Sequence, residues 1–138
     1  MKRIVLLCLI LFLTFASDAN AANWQYIMTT NGGELVFFDA ETITINEAGY
    51  LDVWSKWVFP PKKGSNLSYY LSHEQYDSMP RSIRYMGIYA YDGDREMIDK
   101  TIGPTKWYEI IPDSCAEIFY NKVLSYYVNK MGREVKNL

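Results

Sequence analysis

The chain has 138 residues, 14 basic against 16 acidic side chains, and a formal net charge of −2. That length bounds it to one domain, and the charge balance excludes the basic stripe of a nucleic-acid binder, so no nucleic-acid partner is expected. A single His, and a single Cys outside the first 21 residues, leave a zinc site unsupported, and neither a metal nor another cofactor is expected.

The chain opens on a pattern that predicts export. Lys2 and Arg3 form a short positive region, and Ile4 to Phe15 is apolar except for Cys8 and Thr14. Ala19-Asn20-Ala21 then supplies the small-x-small site of a signal peptidase. A membrane anchor would need roughly 18–20 apolar residues, more than this run holds. A lipid-modified cysteine would follow the run, whereas Cys8 lies inside it. The expected organisation is a signal peptide over 1–21 and a single domain over 22–138, with no transmembrane segment after cleavage. The expected destination is the periplasm, the outer-membrane surface or the medium. Cys115 would be the one cysteine left, so no intramolecular disulfide is expected.

Period-two patterning dominates from Asn23 to about Lys100. The spacing predicts a strand from Trp24 to about Thr30 and a partner strand over Glu34 to Asp39. Between them Asn31-Gly32 is a hairpin signal, since both residues tolerate positive φ. Thr42 to Asn46 follows, then a turn at Glu47-Ala48-Gly49 and a long strand from Tyr50 to Phe59. In that strand Leu51, Val53, Ser55, Trp57 and Phe59 share one face, and Tyr50, Asp52, Trp54, Lys56 and Val58 share the other. Pro60-Pro61 ends it, and Lys62 to Asn66 reads as an exposed loop. Further strands are predicted at Ser68 to Tyr76 and Ser82 to Tyr91, with Asp92-Gly93 turning the chain into Arg95 to Lys100.

The period then changes. Ser114-Cys115-Ala116-Glu117 has the form of a capping box. It predicts a helix to about Met131, with Gly132 as its C-terminal stop. Ala116, Phe119, Tyr120, Val123 and Tyr127 form the apolar stripe; Glu117, Asn121, Ser125 and Asn129 lie opposite. Strands followed by a helix indicate an α+β domain: an antiparallel sheet of about six strands with one long C-terminal helix packed on one face.

No catalytic constellation assembles, and the chain is not expected to be an enzyme. His73 is the one imidazole available to a Ser-His-Asp arrangement, and there is no nucleophile elbow. It reads as a solvated or cross-strand residue. Asp92, Asp94 and Glu96 do not continue into a calcium loop, because Met97 and Gly103 stand where Gly and Glu are required. Cys115 falls at the first helical position, where the dipole lowers a thiol pKa. With no base beside it in sequence, burial is the better expectation.

The aromatic content, 12 Tyr, 6 Phe and 4 Trp, is the informative excess. One helix covers one face of a sheet, whereas the rings alternate onto both: Trp54 opposes Trp57, and Tyr69 opposes Tyr70. Tyr85, Tyr89 and Tyr91 are expected on one face of their strand, with Met86 and Ile88 on the other. Rings left uncovered are candidates for a binding or homodimer surface, because Tyr and Trp supply rigid amphipathic contact area. The candidate binding residues are Trp54, Tyr85 and Tyr89, with Lys62 and Lys63 as loop contacts for an anionic partner.

The order of these features resembles the surface-adhesin protein E family of exported bacterial proteins. The matching pieces are Trp24, Phe37-Phe38-Asp39-Ala40-Glu41-Thr42-Ile43, Val53-Trp54-Ser55-Lys56, the Asp92-Gly93 hairpin, and Trp107 followed by Ile110-Ile111-Pro112-Asp113-Ser114. The resemblance implies a C-terminal helix on the concave face of an antiparallel sheet, and adhesion to host matrix proteins. It also implies a disulfide between helix and sheet. Here Ser78 stands at the strand position and Tyr126-Tyr127 in the helix, so the staple is missing and packing alone is expected to hold the helix. The resulting expectation is a non-enzymatic binding module of the bacterial envelope or surface, with a host matrix protein or another envelope protein as partner. The alternative is a periplasmic protein that holds a small apolar or aromatic ligand between helix and sheet.

Overall fold

The computed structural model describes residues 22–136, and the predicted signal peptide over 1–21 lies outside them. The chain forms strands β1 (Trp24–Thr29), β2 (Leu35–Asp39), β3 (Thr44–Ile45), β4 (Leu51–Val58), β5 (Tyr69–Ser78), β6 (Arg81–Tyr91), β7 (Met97–Ile102) and β8 (Tyr108–Glu109), then helix α1 (Cys115–Lys136). All pair antiparallel in one sheet of order β1-β2-β4-β5-β6-β7, with β3 alongside β4 and β8 alongside β6. This is the expected α+β architecture. The two-residue strands β3 and β8 extend the short ends of neighbouring strands, which is why the sheet holds eight strands while being six wide.

Helix α1 lies on one face of the sheet. Val36, Phe38, Leu51, Val53, Tyr76 and Ile83 point to that side and form a common core with Phe119, Tyr120 and Val123 of the helix. Tyr76 packs its ring against Phe119 (5.9 Å) and Tyr120 (5.5 Å), and Phe38 meets Tyr126 edge-on at 5.2 Å. The predicted stripe is therefore the buried one, and Ile118, off that stripe, is 42% exposed.

Four features at the helix differ from the sequence reading. Ser114 Oγ accepts the Glu117 N–H (3.3 Å) as expected, but Glu117 Oε2 accepts from Asp113 N–H (2.8 Å), one residue before the cap. The Asp113 N–H, reinforced by the Arg81 guanidinium, holds the Glu117 carboxyl below its ordinary pKa. Second, α1 runs through Gly132 to Lys136. Gly132 has no left-handed φ, and Arg133, Glu134 and Lys136 beyond it are good helix formers. Third, packing is not the only tie to the sheet. Arg81 of β6 donates to Glu117 Oε1 (2.7 Å) and Asn121 Oδ1 (3.0 Å), and lies over the Tyr120 ring at 5.3 Å. It joins strand to helix near the helix start. The helix also leaves Cys115 exposed, correcting the expectation that its thiol is buried.

Two bulges set which side chains reach each face. In β1 the register shifts between Tyr26 and Met28, so that the consecutive residues Ile27 and Met28 both pack on the core. In β6 the pairing jumps from His73–Gly87 to Glu74–Tyr85 and leaves Met86 unpaired. The segment after β7 stitches this second bulge: Gly103 N–H donates to Met86 O (2.9 Å), Thr105 N–H to Tyr85 O (2.9 Å), and Tyr85 N–H to Thr105 Oγ1 (3.0 Å). The backbones approach so closely that a Cβ on Gly103 would lie 2.1 Å from Tyr85 O, so only glycine fits there.

Candidate functional site

The face of the sheet away from α1 has no element over it among the described residues. Its rings cover one another instead. Trp54 on β4 and His73 on β5 are directly paired and stack at 5.0 Å, 9° from parallel. Tyr89 on β6 continues the stack onto Trp54 at 6.0 Å. It can lean inward because the residue two positions before it is Gly87, where a Cβ would meet the Tyr89 hydroxyl at 2.8 Å. Tyr69 and Tyr91 form a second stacked pair, at 4.9 Å. Lys56 lies 4.7 Å from the Tyr69 centroid and 5.8 Å from that of Trp24. Tyr26 and Phe37 meet edge-on at 5.8 Å.

A chain of polar contacts borders this platform. His73 Nε2 lies 2.5 Å from Asp52 Oδ1, Gln75 Nε2 donates to Asp52 Oδ2 (2.7 Å), and Arg84 donates to Gln75 Oε1 (2.7 Å). Arg84 also lies over the rings of Trp107 (4.5 Å) and Tyr50 (5.4 Å). His73 is thus a cross-strand residue held flat against Trp54. Each cation of the platform sits over aromatic faces, an arrangement worth more as water is excluded.

Of the residues singled out in the sequence, Trp54 and Tyr89 come together on this platform. Tyr85 does not join them. The extra residue Met86 reverses the alternation of β6, so Tyr85 turns to the helix side while Tyr89 and Tyr91 stay on the open side. A bulge of this kind leaves no mark in the residue types of a strand that is half-buried on both faces. Lys62 and Lys63 are exposed in the loop between β4 and β5, where they line a depression with Glu34 and Gly32 of the β1–β2 hairpin; they lie at the end of the sheet and not on the platform.

On the helix side a second group forms, which the sequence reading did not single out. Glu74 is 3% exposed, and its oxygens accept from Ser55 Oγ (2.6 Å) and Tyr76 OH (2.5 Å). Burial pushes the Glu74 carboxyl above its ordinary pKa, against the pull of those two hydroxyls. Ser72 Oγ is buried with no hydrogen bond of good geometry, although it lies near enough to Glu74 to favour the ionised form. Burial and the neighbouring Glu74 charge together push Tyr85 up to about 12 and raise Tyr70 as well. Glu74, Tyr70, Tyr76 and Tyr85 line a cleft of about 280 Å3 with Trp57 and Phe119, closed at one end by Ser114, Cys115 and Ala116 at the start of α1. The one clue in the sequence was the alternation Tyr70-x-Ser72-x-Glu74-x-Tyr76. It was masked because the opposite face, with His73 and Gln75, is just as polar.

A different, more open depression lies where β8 meets β6, lined by Arg81, Trp107, Tyr108, Ile110 and Pro112, with a volume near 560 Å3. It contains no buried ionisable group. Among the described residues no three His, Cys, Asp or Glu side chains converge as metal ligands, and no helix is long and apolar enough to cross a membrane. Comparison of the chain with protein-family models, with curated proteins and with solved structures finds no match in any of the three.

Proposed function

We propose that this protein is an exported, non-enzymatic binding module of the bacterial envelope or surface, and that the open aromatic face of its sheet docks onto another protein there. The observation that carries this reading is the pre-ordered stacking of Trp54 with His73 and Tyr89, beside the Tyr69–Tyr91 pair, with nothing above them among the described residues. Rings already held in place lose little freedom on docking. Buried aromatic anchors are also where protein interfaces concentrate their energy. The partner is a protein with an apolar patch, in the envelope or in a host matrix; Lys62 and Lys63 would add attraction if it is acidic. Export rests on the pattern of residues 2–21 and on the resemblance to the surface-adhesin protein E family. The non-enzymatic reading rests on His73. It is tied to Asp52 and stacked on Trp54, with no Ser, Thr or Cys hydrogen-bonded to it among the described residues.

In-cell photo-crosslinking tests the surface. A photoreactive phenylalanine replaces Tyr89 and, as control, Ile118 on the outer side of α1. The expected result is a protein adduct from Tyr89 only, with the isolated partner losing about tenfold or more in affinity for Trp54→Ala. An adduct with a second copy of the chain would replace a foreign partner by a homodimer. Equal labelling from both positions would sink the reading. Protease shaving of intact cells, with the mass of the mature N-terminus, tests export.

A further inference from the structure

The cleft between α1 and the sheet has a composition that its surroundings do not require. Its innermost group is a carboxylate, Glu74, removed from water, and no Lys, Arg or His lines the cleft. A buried acid is costly unless something repays its desolvation. Two hydroxyls repay part: Ser55 and Tyr76 fill two of the roughly four acceptor positions of a carboxylate. The remaining wall is aromatic: Trp57, Tyr70 and Tyr85 from three adjacent strands, and Phe119 from the helix. A ring face carries negative charge. A cavity with a carboxylate at its base and several rings around it therefore repels anions and attracts a positive charge with a greasy shell.

The volume narrows the choice. About 280 Å3 lies below the roughly 300–1,000 Å3 range of pockets for drug-sized ligands, so the occupant is small. A metal ion does not suit, since Glu74 is the only carboxylate there and the other lining groups are rings, hydroxyls and one thiol. A primary ammonium would ask for several acceptors, and the cavity offers one carboxylate. A methylated ammonium asks for none and makes its contacts through its methyl groups with ring faces.

We infer that this cleft binds a small alkylated ammonium ion, with Glu74 as its counter-charge and Trp57, Tyr70, Tyr85 and Phe119 as its cage. The site is on the opposite side of the sheet from the stacked platform, and its failure would leave the docking proposal untouched. It replaces the apolar or aromatic ligand expected between helix and sheet by a cationic one, because sequence patterning did not reveal that Glu74 lies at the base of the cleft. Burial raises the pKa of Glu74 in the free protein, and a bound cation favours the charged form. Binding therefore tightens as pH rises through the range in which Glu74 of the free protein loses its proton. The other titratable groups facing the cleft are Tyr70, Tyr76 and Tyr85 on the strands and Cys115 on the helix. Three of these, the tyrosines, are shifted further from neutrality by burial.

Calorimetry of the purified protein with choline, tetramethylammonium and the neutral isostere 3,3-dimethylbutanol tests this. Choline should bind at least about tenfold more tightly than the alcohol, the factor expected for a desolvated cation on aromatic faces. Glu74→Gln should abolish that preference and its pH dependence together, whereas Ile118→Ala, outside the cleft and 42% exposed, should preserve both. If Glu74→Gln does not fold, the choline-to-alcohol comparison and the pH dependence of the wild-type affinity still decide. Equal affinity for choline and its neutral isostere would overturn the inference in favour of an apolar ligand. So would the absence of heat with both cations, or a cation affinity that falls as pH rises.

Discussion

The two faces of this sheet are made from the same kinds of side chain and reach different states. On the helix side, Tyr76, Phe38 and Val53 are buried under Phe119, Tyr120 and Val123. On the open side, Trp54, Tyr69, Tyr89 and Tyr91 are no less aromatic, yet each is only half-buried and shielded by its neighbours alone. The difference lies in what can be spared. Removing a ring from the covered face opens a cavity that rigid neighbours cannot fill. Removing one from the open face admits water to a surface that was already partly wet. Stability belongs to the first face, and the rings of the second are spared that role.

The largest expected effect sharpens that contrast. Phe119→Ala should destabilise the fold by roughly 3–5 kcal/mol, the range for emptying a buried aromatic site. Ile118→Ala, on the neighbouring but 42% exposed residue, should stay within about 1 kcal/mol. Urea unfolding of both variants reads the difference directly, and a larger loss from Ile118→Ala would mean that the helix presents another face to the sheet.

Next comes the bulge that divides Tyr85 from Tyr89. Gly103→Ala would drive a methyl group into Tyr85 O, and a loss of about 1–3 kcal/mol is expected for such overpacking. The same variant should perturb the aromatic NMR signals of Tyr85 and Tyr108 before those of Trp54. An unperturbed spectrum would show that the stitch from Gly103 to Met86 is dispensable.

Loss of the helix cap should be smaller still. Ser114→Ala should cost about 1 kcal/mol. Arg81 stays bonded to Glu117 and Asn121, so the helix should remain docked. Hydrogen exchange would then speed up in the first turn of α1 only. Acceleration along the whole helix would show that the cap, and not Arg81, fixes that end.

The last expectation is a change of slope in the pH dependence. Because burial raises the folded pKa of Glu74, this group's contribution is fully present below its unfolded pKa and is lost as pH rises through the folded pKa. Glu74→Gln removes that dependence. The wild type should therefore lose stability relative to Glu74→Gln as pH is raised from the acid side toward neutrality. Parallel profiles for the two proteins would mean that Glu74 is more solvated than its place under α1 implies.

Much of this was legible from residue types alone. Alternation placed Trp54 and Trp57, and Tyr69 and Tyr70, on opposite faces, and each member of those pairs is where the pleat puts it. Ser114 and Glu117 marked the helix start, and the spacing of Phe119, Tyr120 and Val123 identified the buried stripe, because caps and periodicity are local properties of the chain. Turn chemistry was right in place and wrong in detail. The positive φ of the first hairpin falls on Gly33 and that of the Asp92 turn on Arg95, since both loops are longer than the two-residue form their dipeptides suggested.

What only the tertiary structure decided are the relations between distant segments. The Met86 bulge, and with it the side to which Tyr85 turns, depends on the approach of Gly103 and Thr105, which no window around Tyr85 contains. Arg81 meets Glu117 and Asn121 across 36 and 40 residues of chain. Glu74 is buried because α1 closes over it, while Gln75 beside it is buried among Asp52 and Arg84 on the other face. Periodicity reports which residues share a face. It does not report which face will be covered, because that depends on where the helix comes to rest.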